Sequence, residues 1–287
     1  MKYNTKINIT KASGEHKPFS KEKFLNSLAH AGASPNRAQE ILEEISKQLH
    51  EGISTKKIYQ LAYSKLKQQS KHLAARYHLK QAIMELGPSG YPFEKFIGEI
   101  LKQKGFSVEV GIIVKGKCVT HEVDVLAKNA THQYMIECKY HNYRGIFCDV
   151  KIPLYIQSRF KDIESEWLKN KSKDKISYQG WVVTNTKFSS DAILYGNCAG
   201  LKLLGWDYPE NESLKKLIDE SGLYPITCLT TLTNLEKQKL LESKIVLCKE
   251  LSANKKQLLE MGMAENRISN VIDESQKLCS SILNSIN

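Results

Sequence analysis

The sequence predicts a multidomain α/β protein: an N-terminal β-hairpin with four helices, a central mixed α/β sheet, and a C-terminal helical segment. Three observations carry this prediction. Between Ser20 and Leu86, apolar residues recur at helical spacing and stop at Gly87-Pro88-Ser89-Gly90. From Val119 to His141 the chain reads VTHEVDVLAKNATHQYMIECKYH, two β-runs about a turn-like Asn129-Ala130-Thr131-His132. After Tyr208-Pro209 it becomes polar and helical, with Leu and Ile at helical spacing. The expected domains are residues 1–88, 89–210 and 211–287.

Residues 5–19 read as a short hairpin turning at Ser13-Gly14. Ser20 caps a first helix carrying Phe24, Leu25 and Leu28 on one side. Ser34-Pro35, a cap with proline at the first helical position, opens a second. Thr55, or Ser54 before it, opens a third, and Lys71 to Leu86 makes the fourth. Tyr91 to Lys104 is amphipathic, with Phe93, Phe96, Ile97, Ile100 and Leu101 facing inward. Asp149 to Phe160 reads as a helix whose start Pro153 moves to about Ile152. Lys169 to Lys175 is a charged loop, and Trp181 to Thr184 a buried strand that Thr184 and Phe188 help to pack. LEKQKLLESKIVLCKEL, KKQLLEMGM and NRISNVIDESQKLC read as helices that pack on the central domain or pair two chains.

Composition narrows the classes. The 287 residues hold 25% charged and 41% hydrophobic side chains, a globular balance. No apolar run is long enough to span a membrane, and the opening MKYNTKINITKASG lacks a signal-peptide core. The seven cysteines include no CxxC pair, which argues against a zinc site or a disulfide framework and for a cytoplasmic location. The net charge of +11 is uneven: residues 1–90 hold 15 Lys/Arg against 7 Asp/Glu, while residues 211–287 hold 10 of each. A polyanionic partner fits such an excess; so does a merely soluble basic surface.

The central hairpin carries the chemistry. With its turn centred between Ala130 and Thr131, Asp124 and Glu137 lie directly opposite and point to one face. Lys139, two residues on, shares that face. Two opposed carboxylates repel, and a divalent cation reverses the sign of that interaction. A nearby ammonium can steer water or stabilise a pentavalent phosphate. The parts suit metal-assisted phosphodiester hydrolysis; a solvated face of alternating charges is the alternative.

The stretch from about Gly90 to Trp206 resembles the PD-(D/E)xK nucleases, in particular the Mrr-like restriction endonucleases. YPFEKFIGEILKQKGFSVEV, EVDV, MIECK, HNYRGIFCDVKIPLYIQSRF, WVVTNTKFSSDAILYG and LKLLGW carry the resemblance. It implies Asp124, Glu137 and Lys139 as catalytic residues. Mg²⁺ or Mn²⁺ would be held by Asp124, Glu137 and the Cys138 carbonyl, with Glu94 at the border. Gln157 would reach the site, and Lys151 and Arg159 would touch a DNA backbone or stay solvated. Residues 5–86, through ITKASGEHKPFSKEKF, GISTKKIY and AARY, resemble the ATP-cone, a nucleotide-binding regulatory module. That implies ATP or dATP held by Lys11, Ser20, Lys23 and Thr55; the Arg-Asp-Gly common after the lysine is here Ala12-Ser13-Gly14. LLEMGMAENRISNVI is faintly similar to a helix-hairpin-helix. Two functions remain open: a metal-dependent DNA endonuclease regulated by ATP or dATP, with a possible homo-oligomer, or a non-catalytic nucleotide-sensing DNA-binding protein.

Overall fold

The computed structural model describes residues 7–143, 145–169 and 176–280. Strands β1 (Asn8–Thr10) and β2 (His16–Pro18) form the N-terminal hairpin, with Ile9 opposite Lys17. Helices α1 (Lys21–His30), α2 (Pro35–Ser46) and α3 (Thr55–Gln69) follow. Ser20, Ser34 and Ser54 cap them, each hydroxyl accepting an N–H of the first turn. The expected fourth helix is two pieces, α4 (Lys71–Tyr77) and α5 (Leu79–Met84), parted at His78. No glycine or proline causes the break; the His78 ring is engaged by Tyr59, whose hydroxyl lies 2.5 Å from Nδ1.

Next come α6 (Tyr91–Gln103), a meander of β3 (Ser107–Lys115), β4 (Thr120–Lys128) and β5 (His132–Lys139), and the two-residue β6 (Phe147–Cys148). They are followed by α7 (Lys151–Lys169), β7 (Ser177–Thr184), β8 (Lys187–Phe188), α8 (Ser190–Cys198) and β9 (Lys202–Leu204). The main sheet has five strands in the order β3-β4-β5-β7-β9: the meander is antiparallel, and β7 and β9 add in parallel. Helix α7 runs nine residues past Phe160, because Ile163 continues its buried stripe. Asp149 caps it by accepting the Lys151 N–H. The expected charged loop falls, beyond Lys169, outside the described residues.

The C-terminal part contains α9 (Leu214–Ser221), α10 (Asn234–Glu242), α11 (Lys255–Glu260) and α12 (Glu265–Ser280). The run LEKQKLLESKIVLCKEL, expected as one helix, breaks at Lys244, which takes a left-handed φ of 62°. The break lets Val246 accept the Ile226 N–H and Leu247 pair with Pro225. Gly222 and Gly262 end α9 and α11 with the same left-handed turn, each followed by a buried apolar residue, Leu223 and Met263.

Three apolar cores result. One lies among α1–α4 and includes Phe24, Ile41 and Leu66. Another fills the sheet face under α7 and α8, around Met135, Ile156, Val182 and Phe188. The largest joins α5, α6, the opposite sheet face and the whole C-terminal part. Thus Ala82, Ile83 and Leu86 share a core with Phe93, Val125, Tyr224 and Leu278. A buried hydrogen bond from Thr227 to the Ala82 carbonyl and an ion pair between Lys95 and Glu250, both short, fasten the same joint.

A chain ending after residue 210 should therefore lose its cooperative melt and bind a hydrophobic dye, because α5 and α6 lose their cover. A soluble truncated chain with an intact melting transition would contradict the shared core.

Candidate active site

The site lies where the sheet comes apart. Pairing of β4 with β5 runs from Lys128↔Gln133 to Val125↔Ile136 and stops there. This is the register expected from the turn; Asp124 and Glu137 stand one step beyond its last pair. The β3–β4 ladder also omits Asp124, passing from Val110↔Val125 to Ile112↔Val123. Opposite it lies Gly111, with a left-handed φ of 65° that a residue bearing a Cβ would adopt at a cost. The kink frees the Asp124 side chain to do what a backbone carbonyl would do: Oδ2 accepts the Cys138 N–H at 2.7 Å.

Glu137 is buried and doubly paired. One oxygen lies 2.6 Å from Lys139 Nζ, the other 2.7 Å from Arg159 Nη1. Arg159 also donates to the Glu122 carbonyl and lies over the Tyr155 ring. Its side chain is only 13% exposed, so it is held in the Glu137 pair rather than solvated. The reason is positional: it is one helical turn past Tyr155 on α7, facing β5. Lys151 is exposed at the start of the same helix. Gln157 turns away, donating to the Ala199 carbonyl.

Electrostatics define the centre further. Glu94, in the first turn of α6, has its pKa pushed up to about 7 by burial and then by Asp124, Glu122 and Glu137. Asp124 is pushed up to about 6 by burial and then by Glu137, although the Cys138 N–H works the other way. At Lys139 burial disfavours the ammonium, but the Glu137 bond and the charges of Glu137 and Asp124 together outweigh it and raise the pKa. Four carboxyls thus face two cations, and full ionisation would leave two negative charges uncompensated. Among the described residues no cluster of three or more His, Cys, Asp or Glu side chains is arranged to hold a metal ion.

The end of β5 is held tightly. Thr184, read from sequence as packing, donates its hydroxyl to the Lys139 carbonyl at 2.8 Å. Asn185 donates to the His141 carbonyl and accepts from its N–H. Phe188 packs in the core under α7 and α8.

A second site opens in the N-terminal domain. A cavity of about 590 Å³, within the range of small-ligand sites, is lined by Lys11, Thr55, Lys56, Tyr59, His78 and Glu85 among others. The start of α3 presents a positive dipole end at one side. Tyr59 lines the cavity and stacks on Tyr77, with ring centroids 5.3 Å apart. Lys11 and Thr55 are where the resemblance implies. Ser20 and Lys23 are not in the lining; the Ser20 hydroxyl is committed to the Lys23 N–H in the α1 cap. Sequence reasoning missed Tyr59 and His78. The i, i+4 step from Thr55 to Tyr59 and the polar stripe His78, Gln81, Glu85 were the available signals.

Glu94 binds its proton more tightly folded, at about 7, than unfolded, near 4.5. Its stabilising contribution is whole below about pH 4.5 and is lost as pH rises through about 7. Glu94→Gln, which stays neutral, should therefore gain melting temperature over the native chain as pH rises from 4.5 to 8. A variant melting below the native chain at pH 8 would contradict the crowding of charge at this site.

Comparison with known proteins bears on both regions. Residues 7–82 match the ATP cone domain, and residues 224–279 match the family described as AF1548-like, C-terminal. An uncharacterized protein of Archaeoglobus fulgidus is 36% identical over 186 residues, 63% of this chain and 99% of that protein. A crystal structure titled as the protein of unknown function AF1548 superposes with a TM-score of 0.54 at 35% identity, covering 67% of this chain and 99% of that one. The N-terminal domain is thus an ATP-cone, and the chain belongs to the AF1548-like family.

Proposed function

We propose that this protein is a metal-dependent DNA endonuclease whose activity is set by ATP or dATP bound to its ATP-cone. One observation carries the reading: Asp124, Glu137, Lys139 and Glu94 converge on a kinked sheet end between α6 and α7, with more negative charge than the neighbouring cations neutralise. The order helix, meander, helix, strand, helix, strand supports it, being the order of the nuclease family the sequence resembles.

Surplus carboxylate charge is what a divalent cation would neutralise. Asp124 and Glu137 would hold it with the Cys138 carbonyl, and Glu94 would border it. Mg²⁺ or Mn²⁺ bound there would act as a Lewis acid on the scissile phosphate. The chain's own groups do the rest. Lys139 Nζ, hydrogen-bonded to Glu137, can orient an attacking water or meet the charge that develops on phosphate. Arg159 competes for the same carboxylate, and its release toward substrate would open a Glu137 oxygen. Exposed Tyr143, Phe147 and Tyr155, with Lys151, offer aromatic and basic contacts to a nucleic acid. At the cone, the α3 N-terminus with Lys11 and Lys56 would take the phosphates, and the Tyr59 ring the rest of the nucleotide.

Glu137 already neutralised on both oxygens favours a second reading, a nucleotide-sensing DNA-binding protein without turnover.

Plasmid incubated with the purified protein and Mg²⁺, with and without ATP or dATP, separates the two. Cleavage should fall by about 10²–10⁴ in Glu137→Ala and Lys139→Ala, while DNA binding persists. Lys139→Arg should not rescue, since a larger planar guanidinium cannot replace a compact point donor. Lys11→Ala and Thr55→Ala should keep the chemistry and lose the response to nucleotide. Full cleavage by both site variants would remove this centre from consideration.

A further inference from the structure

Tyr140 follows Lys139 directly, and its side chain leaves the central domain. Its hydroxyl donates to the Met84 carbonyl at 2.6 Å and accepts the Gly87 N–H at 2.7 Å. Met84 is the last residue of α5, where carbonyls run out of intrahelical donors, and Gly87 lies three residues beyond it. The phenol stays protonated near neutrality, its pKa pushed up to about 12 chiefly by burial, so it serves both bonds together. The ring also packs on Phe93 of α6. Gly87 permits the approach: a Cβ there would stand 2.7 Å from the Tyr140 ring. The other end of this short path is the cone cavity, because His78, Gln81 and Glu85 line it from α5 and its two flanks.

The backbone of this strand end is tied to its own sheet, through Thr184 at Lys139 and Asn185 at His141. Between them, Tyr140 ties it to the cone. A displacement of α5 by a ligand in the cavity must therefore either break the two Tyr140 bonds or carry the residue beside Lys139 with it. A second contact accompanies the first: the hairpin tip meets the loop after β5, where a Cβ on Gly145 would lie 3.8 Å from the Ala12 carbonyl.

We infer that Tyr140 is the positioning residue through which nucleotide bound to the cone governs Lys139. The inference rests on the reading of Lys139 as part of the catalytic set. For the coupling to exist, the nucleotide must favour one position of α5 over another.

Hydrogen exchange of the full chain, with and without ATP, tests this without reading cleavage. In the native chain, millimolar ATP should slow exchange at residues 55–60 and alter it at residues 138–143, by about fivefold or more, the low end of typical couplings. Tyr140→Phe keeps the ring and removes both bonds. It should retain the response at 55–60 and lose that at 138–143. Gly87→Ala, which unseats the ring from the other side, should do the same, and near-UV circular dichroism reports whether each variant is folded. A response at 138–143 that survives in folded Tyr140→Phe overturns the inference, as does a native chain that responds only at 55–60. No response at 55–60 removes nucleotide binding and the inference with it. A native chain showing the expected exchange pattern but no cleavage would remove the catalytic reading and leave the Tyr140 coupling in place.

Discussion

The structure depends on α4 and α5 being a wall shared by two cores. Ala74 and Ala75 are adjacent and both fully buried, yet Ala74 belongs to the cone core and Ala75 to the core that contains α6 and the C-terminal helices. A helix can present neighbouring residues to different neighbours only where both faces are covered. From this follow the position of the cone cavity, the acceptor for Tyr140, and the seat of the C-terminal part on the Ala82 carbonyl. An isolated ATP-cone cut at Gly87 to Gly90 would expose Leu79, Ile83 and Leu86, all within the larger core. The segment Gly87 to Gly90 is a covalent boundary without being a packing boundary.

Against that rigid frame the candidate active site is electrostatically unfavourable. Asp124 and Glu94 are half-buried acids held above their ordinary pKa values by burial and by each other's neighbours. An apolar or amide residue at Glu94 would relieve the crowding, so nothing in the stability of the fold requires it. Groups that cost stability where they stand are characteristic of functional sites. Glu137 differs, because Lys139 and Arg159 satisfy it; the site combines one neutralised carboxylate with others that lack full compensation.

Much of this was legible in the residues. The strand register followed from the turn alone, because a period of two leaves little freedom once the turn is fixed. The caps at Ser20, Ser34 and Ser54 followed from hydroxyls preceding apolar helical runs. What failed depended on tertiary partners. Arg159 read as a surface cation because helical spacing does not reveal which strand a face meets. The C-terminal run read as one helix because Lys244 carries no local signal for a left-handed turn; its pairing across to Tyr224–Ile226 imposes it. Gly111, within a β-run and opposite Asp124, was a signal present in the sequence and not used.

The central claim is that cone and candidate nuclease centre form one cooperative unit that nucleotide can bias. Thermal unfolding of the full chain, followed by circular dichroism with and without millimolar ATP or dATP, tests it most directly. Ligand that binds only the folded chain at a hundredfold excess over Kd stabilises it by about 2.7 kcal/mol. The account predicts a single transition that moves upward as a whole. Two separate transitions of which only the lower responds, or no shift with either nucleotide, would contradict it.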